Sequence, residues 1–330
     1  MTETQLEDLL SAPSRADVEA AAAVQGDILI LGAAGKMGPS LARRIRRALD
    51  EAGSPAKVVT VSRGALEIEG VEHVRCDMLA PDALNALPDA PNVFYLAARK
   101  FGSTGDPAQT WAANVLLPAL VARRYRASRI VSFSTGNVYP LVPVASGGAT
   151  EATPTDPVGE YAWSALGRER MFDYAARTHG TPVTLLRLNY ACEPRYGVLV
   201  DLATRILNEE PIDLSMGYVN VIWQGDANSV CFRSLAHCAA PPFLLNLTGP
   251  ETLAVRDLAL KLGARLGRAP QFISEPAPTA LLNNAALCHE MFGPPLVTVD
   301  QMMEWIADWL VSGGRLLGKP TKFQVRDGRF

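Results

Sequence analysis

Cysteine and histidine are scarce in this sequence, five and four among 330 residues. Cys76, Cys192, Cys231, Cys238 and Cys288 are scattered and odd in number. That argues against a disulfide framework and makes a reducing compartment, the cytoplasm, the expectation. His237-Cys238 and Cys288-His289 come nearest to a metal motif. No CxxC, HxxxH or HExxH spacing accompanies them, so no metal site is expected. Charge of one sign is lacking too: the formal net charge is −3 and no long basic block occurs. Nucleic acid and membrane are therefore not expected as partners, and a small-molecule substrate is. No run reaches the ~18 apolar residues that cross a bilayer. The acidic, amphipathic start MTETQLEDLL is the reverse of a secretory leader.

What is present is an ordinary globular balance, 48% hydrophobic and 20% charged, in a chain long enough for a well-buried core. Residues 1–26 read as a short helical lead-in ending at Gly26-Asp27. Apolar runs of strand length then alternate with segments of helical period. Strands are expected at 27–31, 57–62, 71–76, 92–97, 128–134 and 182–188, and helices near 36–50, 80–87, 107–126 and 158–178. Such alternation predicts an α/β fold with a Rossmann-type doubly wound parallel sheet, here over 27–190. Beyond it the pattern loosens into shorter strands (219–223, 243–247), helices and Pro-rich joints, read as a smaller C-terminal α/β substrate lobe over 191–315. The polar tail 316–330 carries no packing signal and is expected to be mobile or docked on a partner subunit. Helix 301–311 sets Met302, Trp305, Ile306, Trp309 and Leu310 on one stripe, suited to core or to the seam of a homodimer.

The sharpest motif is ILILGAAGKMGPSLARRI, with Gly32, Gly35 and Gly38 in G-x-x-G-x-x-G spacing directly after the first strand. Gly32 permits the tight strand-to-helix turn, Gly35 lets backbone amides approach a pyrophosphate, and Gly38 lets the helix pack closely on the sheet. Lys36 and Met37 belong to the same loop. The alternative, a glycine-rich turn without a ligand, does not need the strand before it and the amphipathic helix behind it. The second strand runs VVTVS into Arg63, with no acidic residue there to accept from ribose hydroxyls. A Ser62-Arg63 pair suits a 2′-phosphate, so NADP is expected ahead of NAD.

These features together resemble the extended short-chain dehydrogenase/reductases, the NAD(P)-dependent epimerase/dehydratase family, over roughly residues 27–310. Asp77, followed by Met78, stands where the family's Asp meets the adenine. Leu96-Ala97-Ala98 matches the L-A-A that ends the fourth strand beside the cofactor, with Arg99 next to it. Asn114 matches a helix asparagine of the family. Ser134-Thr135-Gly136-Asn137-Val138-Tyr139 resembles the segment carrying the catalytic Ser or Thr, which assigns that role to Thr135 and places Asn137 by the substrate. Tyr161 lies at the tyrosine of Y-x-x-x-K, and Leu186-Arg187-Leu188-Asn189 resembles the L-R-x-x-N strand, which puts Asn189 against cofactor and substrate.

Two departures matter. The family lysine is Ala165 here. A free tyrosine titrates near ~10, and a cation about 4 Å away at an effective dielectric of ~20 supplies roughly 4 kcal/mol, about three pKa units. Arg168, two helical turns beyond Tyr161, and Arg99 with Lys100 are the cations placed to stand in. A site left without that help is the alternative. In the family's sugar dehydratases Asp-Glu follows the Thr; Gly136 and Asn137 cannot move a proton in that way, which disfavours dehydration. In the lobe, Trp223 and Gln224 suit a neutral polyol, the indole as platform and the amide reading hydroxyls, with a buried Trp as the alternative. Asp226 is expected to cap the following helix. Arg187, Arg195 and Arg233 suit an acidic substrate if they reach the site, while Glu193 and Tyr196 are candidates to face the cleft. The resemblance implies an oxidoreductase or epimerase moving a hydride on a sugar, sugar acid or related polyol. Its rival is a dinucleotide-binding redox sensor or scaffold that has lost catalysis.

Overall fold

The computed structural model describes residues 1–100, 102–103 and 105–329. Two short helices lead in, α1 (Glu3–Ser11) and α2 (Arg15–Ala22), each opened by a capping box, Thr2 with Gln5 and Ser14 with Asp17. Such boxes satisfy backbone N–H groups that the first helical turn leaves over. Asp17 also takes Arg44 Nη1 at 2.7 Å and Ser229 Oγ at 2.7 Å, a buried cluster that pins the lead-in to two later helices.

Among the described residues the main sheet has seven strands: β1 (Ile28–Leu31), β2 (Val58–Ser62), β3 (Glu72–Arg75), β4 (Asn92–Tyr95), β5 (Arg129–Thr135), β6 (Val183–Leu188) and β7 (Phe243–Leu247). They form one parallel sheet in the order β7-β6-β5-β4-β1-β2-β3. Ile28 stands opposite both Val58 and Asn92, so the winding reverses around β1 and opens a crevice at the strands' carboxyl ends. The helices are α3 (Gly38–Glu51), α4 (Pro107–Trp111), α5 (Leu117–Arg124), α6 (Gly159–His179), α7 (Val198–Leu207), α8 (Gln224–Arg233), α9 (Val255–Leu266), α10 (Ala286–Phe292) and α11 (Val299–Val311). Successive strand residues face opposite sides. Ile28 and Ile30 therefore pack with Leu41, Ile45 and Phe232 of α3 and α8, and Leu29 and Leu31 with Val121 and Phe172 of α5 and α6.

Several expectations shift. The helix expected at 80–87 is only a 3-10 turn, Ala83–Ala86, between Pro81 and Pro88, which lack the N–H a longer helix needs. The 243–247 strand belongs to the main sheet as β7, because Leu245 and Leu247 bury against the face that α3 and α8 cover. The stripe on α11 is core: Met302, Ile306 and Trp309 pack with α7 and α9. The tail docks on its own chain. Thr321 donates from N and Oγ1 to Asp201 Oδ2 at 2.7 and 2.5 Å, Phe323 is buried, and Arg326 Nη1 donates to Thr279 O at 2.7 Å. Phe330, the last residue of that tail, lies outside the described residues. Among the described residues no helix is long and apolar enough to cross a membrane.

Candidate active site

The crevice beside β1 is a cleft of about 600 Å³, lined by Gly32 and Gly35, by Ser62, Arg63 and Gly64 after β2, by Asp77 and Met78 after β3, and by Ala97 to Lys100 after β4. Gly32 has φ +84°, and a Cβ there would stand 2.5 Å from Ala97 N, so turn and strand can approach only around glycine. Gly35 is different. A Cβ on it would meet Gly32 O alone, at 3.3 Å, and otherwise fill open space in the cleft. Loop and volume therefore fit a dinucleotide, with the pyrophosphate at the open start of α3. Arg99 adds a buried Nε with no hydrogen-bond partner among the described residues, in the wall of the same cleft.

Asn114 sets the position of that wall. It lies in a π-helical turn, Ala112–Leu116, where its carboxamide takes Arg99 N and donates to Arg99 O, both at 2.8 Å, and also reaches Ser164 Oγ. A π-turn interrupts the α-helical ladder and often marks a functional site. Asn114 is thus a clamp on the 99–100 backbone rather than a lining residue of the cleft.

Lys100 also lines a second, inner cavity of about 150 Å³, together with Lys36, Thr135, Asn137, Tyr161, Asn189, Tyr190, Tyr196 and Thr321. Thr135 ends β5, and Tyr161 stands in the first turn of α6. Their hydroxyls share a hydrogen bond. Behind Thr135, Ser134 Oγ donates to Glu169 Oε1 at 2.5 Å, and Arg187 holds Glu169 through Nε and Nη2 at 2.9 and 2.6 Å. Removing one member of so buried a pair costs about 3–5 kcal/mol, so this network fixes β5, β6 and α6 around the cavity. Tyr190, at φ +44°, is held in the left-handed region, a strain that functional sites concentrate.

Burial pushes the Tyr161 phenol up, while the charge of Arg168 and the bond with Thr135 pull it partly back. Arg168 is fixed in place: Nη1 donates to Phe133 O at 2.7 Å and Nη2 to Asn114 Oδ1 at 3.3 Å. Lys100 Nζ lies 5.7 Å from the Tyr161 ring centroid. Burial lowers Lys36 and Lys100 to about 8 each. Tyr190 and Tyr196 are pushed up by burial, with the charge of Asp201 adding to it. Ala165 is fully buried beside Val138, Tyr139 and Leu166.

Several expected residues lie elsewhere. Lys36 and Met37 turn from the dinucleotide cleft into the inner cavity, where Lys36 Nζ donates to Ala191 O. Gly38 opens α3 against Ala33 instead of lining the cleft. Trp223 is buried against Trp305, and Gln224 donates to Ser40 Oγ at 2.9 Å, so both are packing groups against α11 and α3 and neither lines the cavity. Asp226 caps no helix; it accepts Val297 N at 3.0 Å and tethers that loop. Arg187 is spent on Glu169, Arg195 on Glu193 and Glu7, and Arg233 on Phe292 O, so none of the three lines the cavity. Thr321 gave no sequence signal, since a polar tail has no period to read. Tyr190 had one: it directly follows Asn189, and in strict L-R-x-x-N register counted from Leu186 it stands at the asparagine position itself.

This strand order, with a glycine turn leading into the helix after β1, is the architecture of Rossmann-type dinucleotide-binding proteins. Residues 28–219 match the model of the NAD dependent epimerase/dehydratase family, and the chain belongs to that family. Among solved structures it is similar to MoeE5 in complex with UDP-glucuronic acid and NAD, at 19% identity and a TM-score of 0.74, covering 87% of this chain and 100% of that one. The UDP-glucose 4-epimerase of Thermus thermophilus, in complex with NAD, gives 20%, 0.71, 86% and 98%. Epimerase Mth375 from Methanothermobacter thermautotrophicus gives 18%, 0.74, 91% and 96%. No curated protein matches the chain.

Proposed function

We propose that this chain is a cytoplasmic NAD(P)-dependent oxidoreductase or epimerase, acting by hydride transfer at a hydroxyl-bearing carbon of a sugar, sugar acid or related polyol. The observation that carries the reading is the hydrogen-bonded Thr135–Tyr161 pair, in a cavity that meets the dinucleotide cleft at Lys100. A bound nicotinamide supplies the hydride acceptor and donor. Thr135 and Tyr161 hold the reacting oxygen, and Tyr161 takes its proton on oxidation and returns it on reduction. Where the family lysine is Ala165, the charge of Arg168 offsets part of the burial that keeps the phenol protonated, and Lys100 Nζ stands 5.7 Å from the ring centroid as a second cation. Asn137 and Asn189 line the same cavity and offer amides to further hydroxyls.

At the first of the two positions that carry acid and base in a dehydratase, a Cβ on Gly136 would stand 2.6 Å from Asn283 Oδ1 and require that side chain to shift, so simple oxidoreduction or epimerisation is the better fit. NADP is favoured over NAD because Arg63 is exposed on the cleft wall beside Ser62. A homodimer would cover the exposed Trp111, Leu116 and Trp163 on the helices beside the cleft.

Turnover is tested by incubating the protein with NADP⁺ or NAD⁺ and a panel of sugars and aldonates, read at the reduced-nicotinamide band and by NMR, which also detects silent epimerisation. Tyr161→Phe is expected to cut turnover by about 10²–10⁴-fold while cofactor titration stays unchanged. Unchanged turnover rejects the assignment. Cofactor binding without turnover on any substrate favours the sensor or scaffold reading.

A further inference from the structure

Residues 318–328 of the tail line three hollows in a row. Lys319, Lys322 and Gln324 flank a hollow of about 350 Å³ beside α7, Thr321 lines the inner cavity, and Val325, Arg326 and Gly328 line a small hollow beside Leu141 and Met216. Tyr196 stands in the walls of the first and second, and Asn137 and Tyr190 in those of the second and third, so the hollows adjoin. Lys319 also reaches the dinucleotide cleft. One stretch of backbone thus crosses a continuous trough and partitions it.

That stretch is anchored along its length. Phe323 is buried in the same apolar cluster as Leu202 and Trp309. Thr321 gives both its donors to Asp201, and its carbonyl takes Lys100 Nζ at 3.3 Å. Lys322, between these anchors, is kept at φ +54°, a left-handed conformation that its surroundings must hold. Arg326 donates to Thr279 O and Oγ1, both at 2.7 Å, and to Ser215 O at 3.2 Å. At the far end two glycines of positive φ meet. A Cβ on Gly328 would stand 2.2 Å from Val158 O, and one on Gly159 would stand 2.5 Å from Gly328 O. Gly159 opens α6 two residues before Tyr161, so the tail closes against the turn that carries the phenol.

We propose that residues 318–328 set the size of the substrate: the reacting molecule is a free small sugar, sugar acid or polyol, and a sugar carrying a bulky substituent is excluded. The inference rests on the inner cavity being the reaction site. That cavity measures about 150 Å³, against the ~300–1,000 Å³ of pockets that bury a drug-sized ligand. A large substituent on the sugar has to extend along the trough, past Thr321 or Val325, where the tail lies. Clearing that path would expose Phe323 and break the bonds to Asp201 and Thr279. Small substrates meet no such cost. Selectivity therefore comes from an obstacle placed against the larger competitor, not from added attraction to the smaller one.

The test titrates the NADP⁺-loaded protein by NMR with two series: D-glucose, p-nitrophenyl glucoside and UDP-glucose, then D-glucuronate, p-nitrophenyl glucuronide and UDP-glucuronate. The nitrophenyl conjugates add bulk without charge. The full chain is expected to bind at least one free sugar about tenfold or more tighter than both of its conjugates. A chain ending at Leu317 should lose that preference by gaining about tenfold for the conjugates of that series. Arg326→Ala combined with Gly328→Val lifts only the outer end, keeps Thr321 and Phe323, and should bring a gain of about threefold. Thermal melting and cofactor titration check folding, and if the shorter chain does not fold the double variant decides alone. A conjugate bound by the full chain as tightly as its free sugar, no binding of either free sugar, or a preference unchanged in every folded variant overturns the proposal. Its failure is separable from failure of the functional reading. A size preference without hydride transfer on any compound keeps the tail's role and sinks the catalytic reading. Turnover of free sugars and conjugates alike does the reverse.

Discussion

The dinucleotide cleft and the inner cavity share a wall at Lys100 and are built in opposite ways. The cleft is mostly backbone and strand ends: a tight turn at Gly32, an open face at Gly35, and the residues that follow three neighbouring strands. The cavity is mostly side chains drawn from distant stretches, Lys36, Lys100, Thr135, Tyr161, Tyr196 and Thr321. Recognition by backbone asks little of sequence except where a Cβ is forbidden. Recognition by side chains asks for whatever residue type the tertiary fold carries to the spot. One fold thus holds a cofactor site set by local geometry beside a substrate site set by assembly, and only the second can change specificity without disturbing the first.

The sharpest way to break that contrast is within the glycine loop. Gly32→Ala should cost about 2–4 kcal/mol of stability, because φ +84° and the approach of Ala97 both forbid a Cβ. Gly35→Ala should leave the melting temperature nearly unchanged and weaken cofactor binding about tenfold, since its Cβ would occupy ligand space. Equal losses of stability in melts of the two variants would mean that the loop is scaffold throughout. A smaller effect separates the cofactors: Arg63→Glu should lower NADP affinity about tenfold and leave NAD within a factor of about two, by fluorescence titration. Retained NADP binding would remove the preference.

The smallest effect tests the cavity's electrostatics. Lys36 titrates near 8 in the fold and at 10.5 when unfolded. Between those values the unfolded chain holds more protons, so wild-type stability rises with pH through that window. Below 8 both states are protonated and the cost of the buried charge is fully present. Lys36→Met should therefore stabilise the apo protein at pH 7, by about 1 kcal/mol after allowance for solvent reaching this partly buried group. The gain should fade as pH rises toward 10.5. A gain independent of pH would show that packing, not charge, is responsible.

Much of this was legible in the sequence, and the limits have physical causes. The apolar runs of strand length, alternating with helical segments, and the glycine triplet gave the sheet and the cleft, because both are local rules. Thr135 and Tyr161 came from the resemblance to the family, and the structure brings them into one hydrogen bond. Lys36 was assigned to the cofactor because its neighbours in the loop face it, yet side-chain direction is decided by what lies opposite, here Ala191 and Tyr196. Trp223 and Gln224 had the right chemistry for a sugar but answer to Trp305 and Ser40 instead. The tail looked loose because its anchors, Thr321 and Phe323, are single residues whose partners lie far off in the chain.

Gly136 and Asn283 carry a last consequence, for evolution. The carboxamide of Asn283 fills the space that any side chain at 136 would need, although neither of its own polar atoms finds a partner among the described residues. The two positions are therefore epistatic. A lineage drifting toward water-eliminating chemistry can place an acid at 136 only together with a shift or a shortening of the side chain at 283. Asn283 in this way keeps one neighbouring activity of the family a step further out of reach than the sequence distance alone suggests.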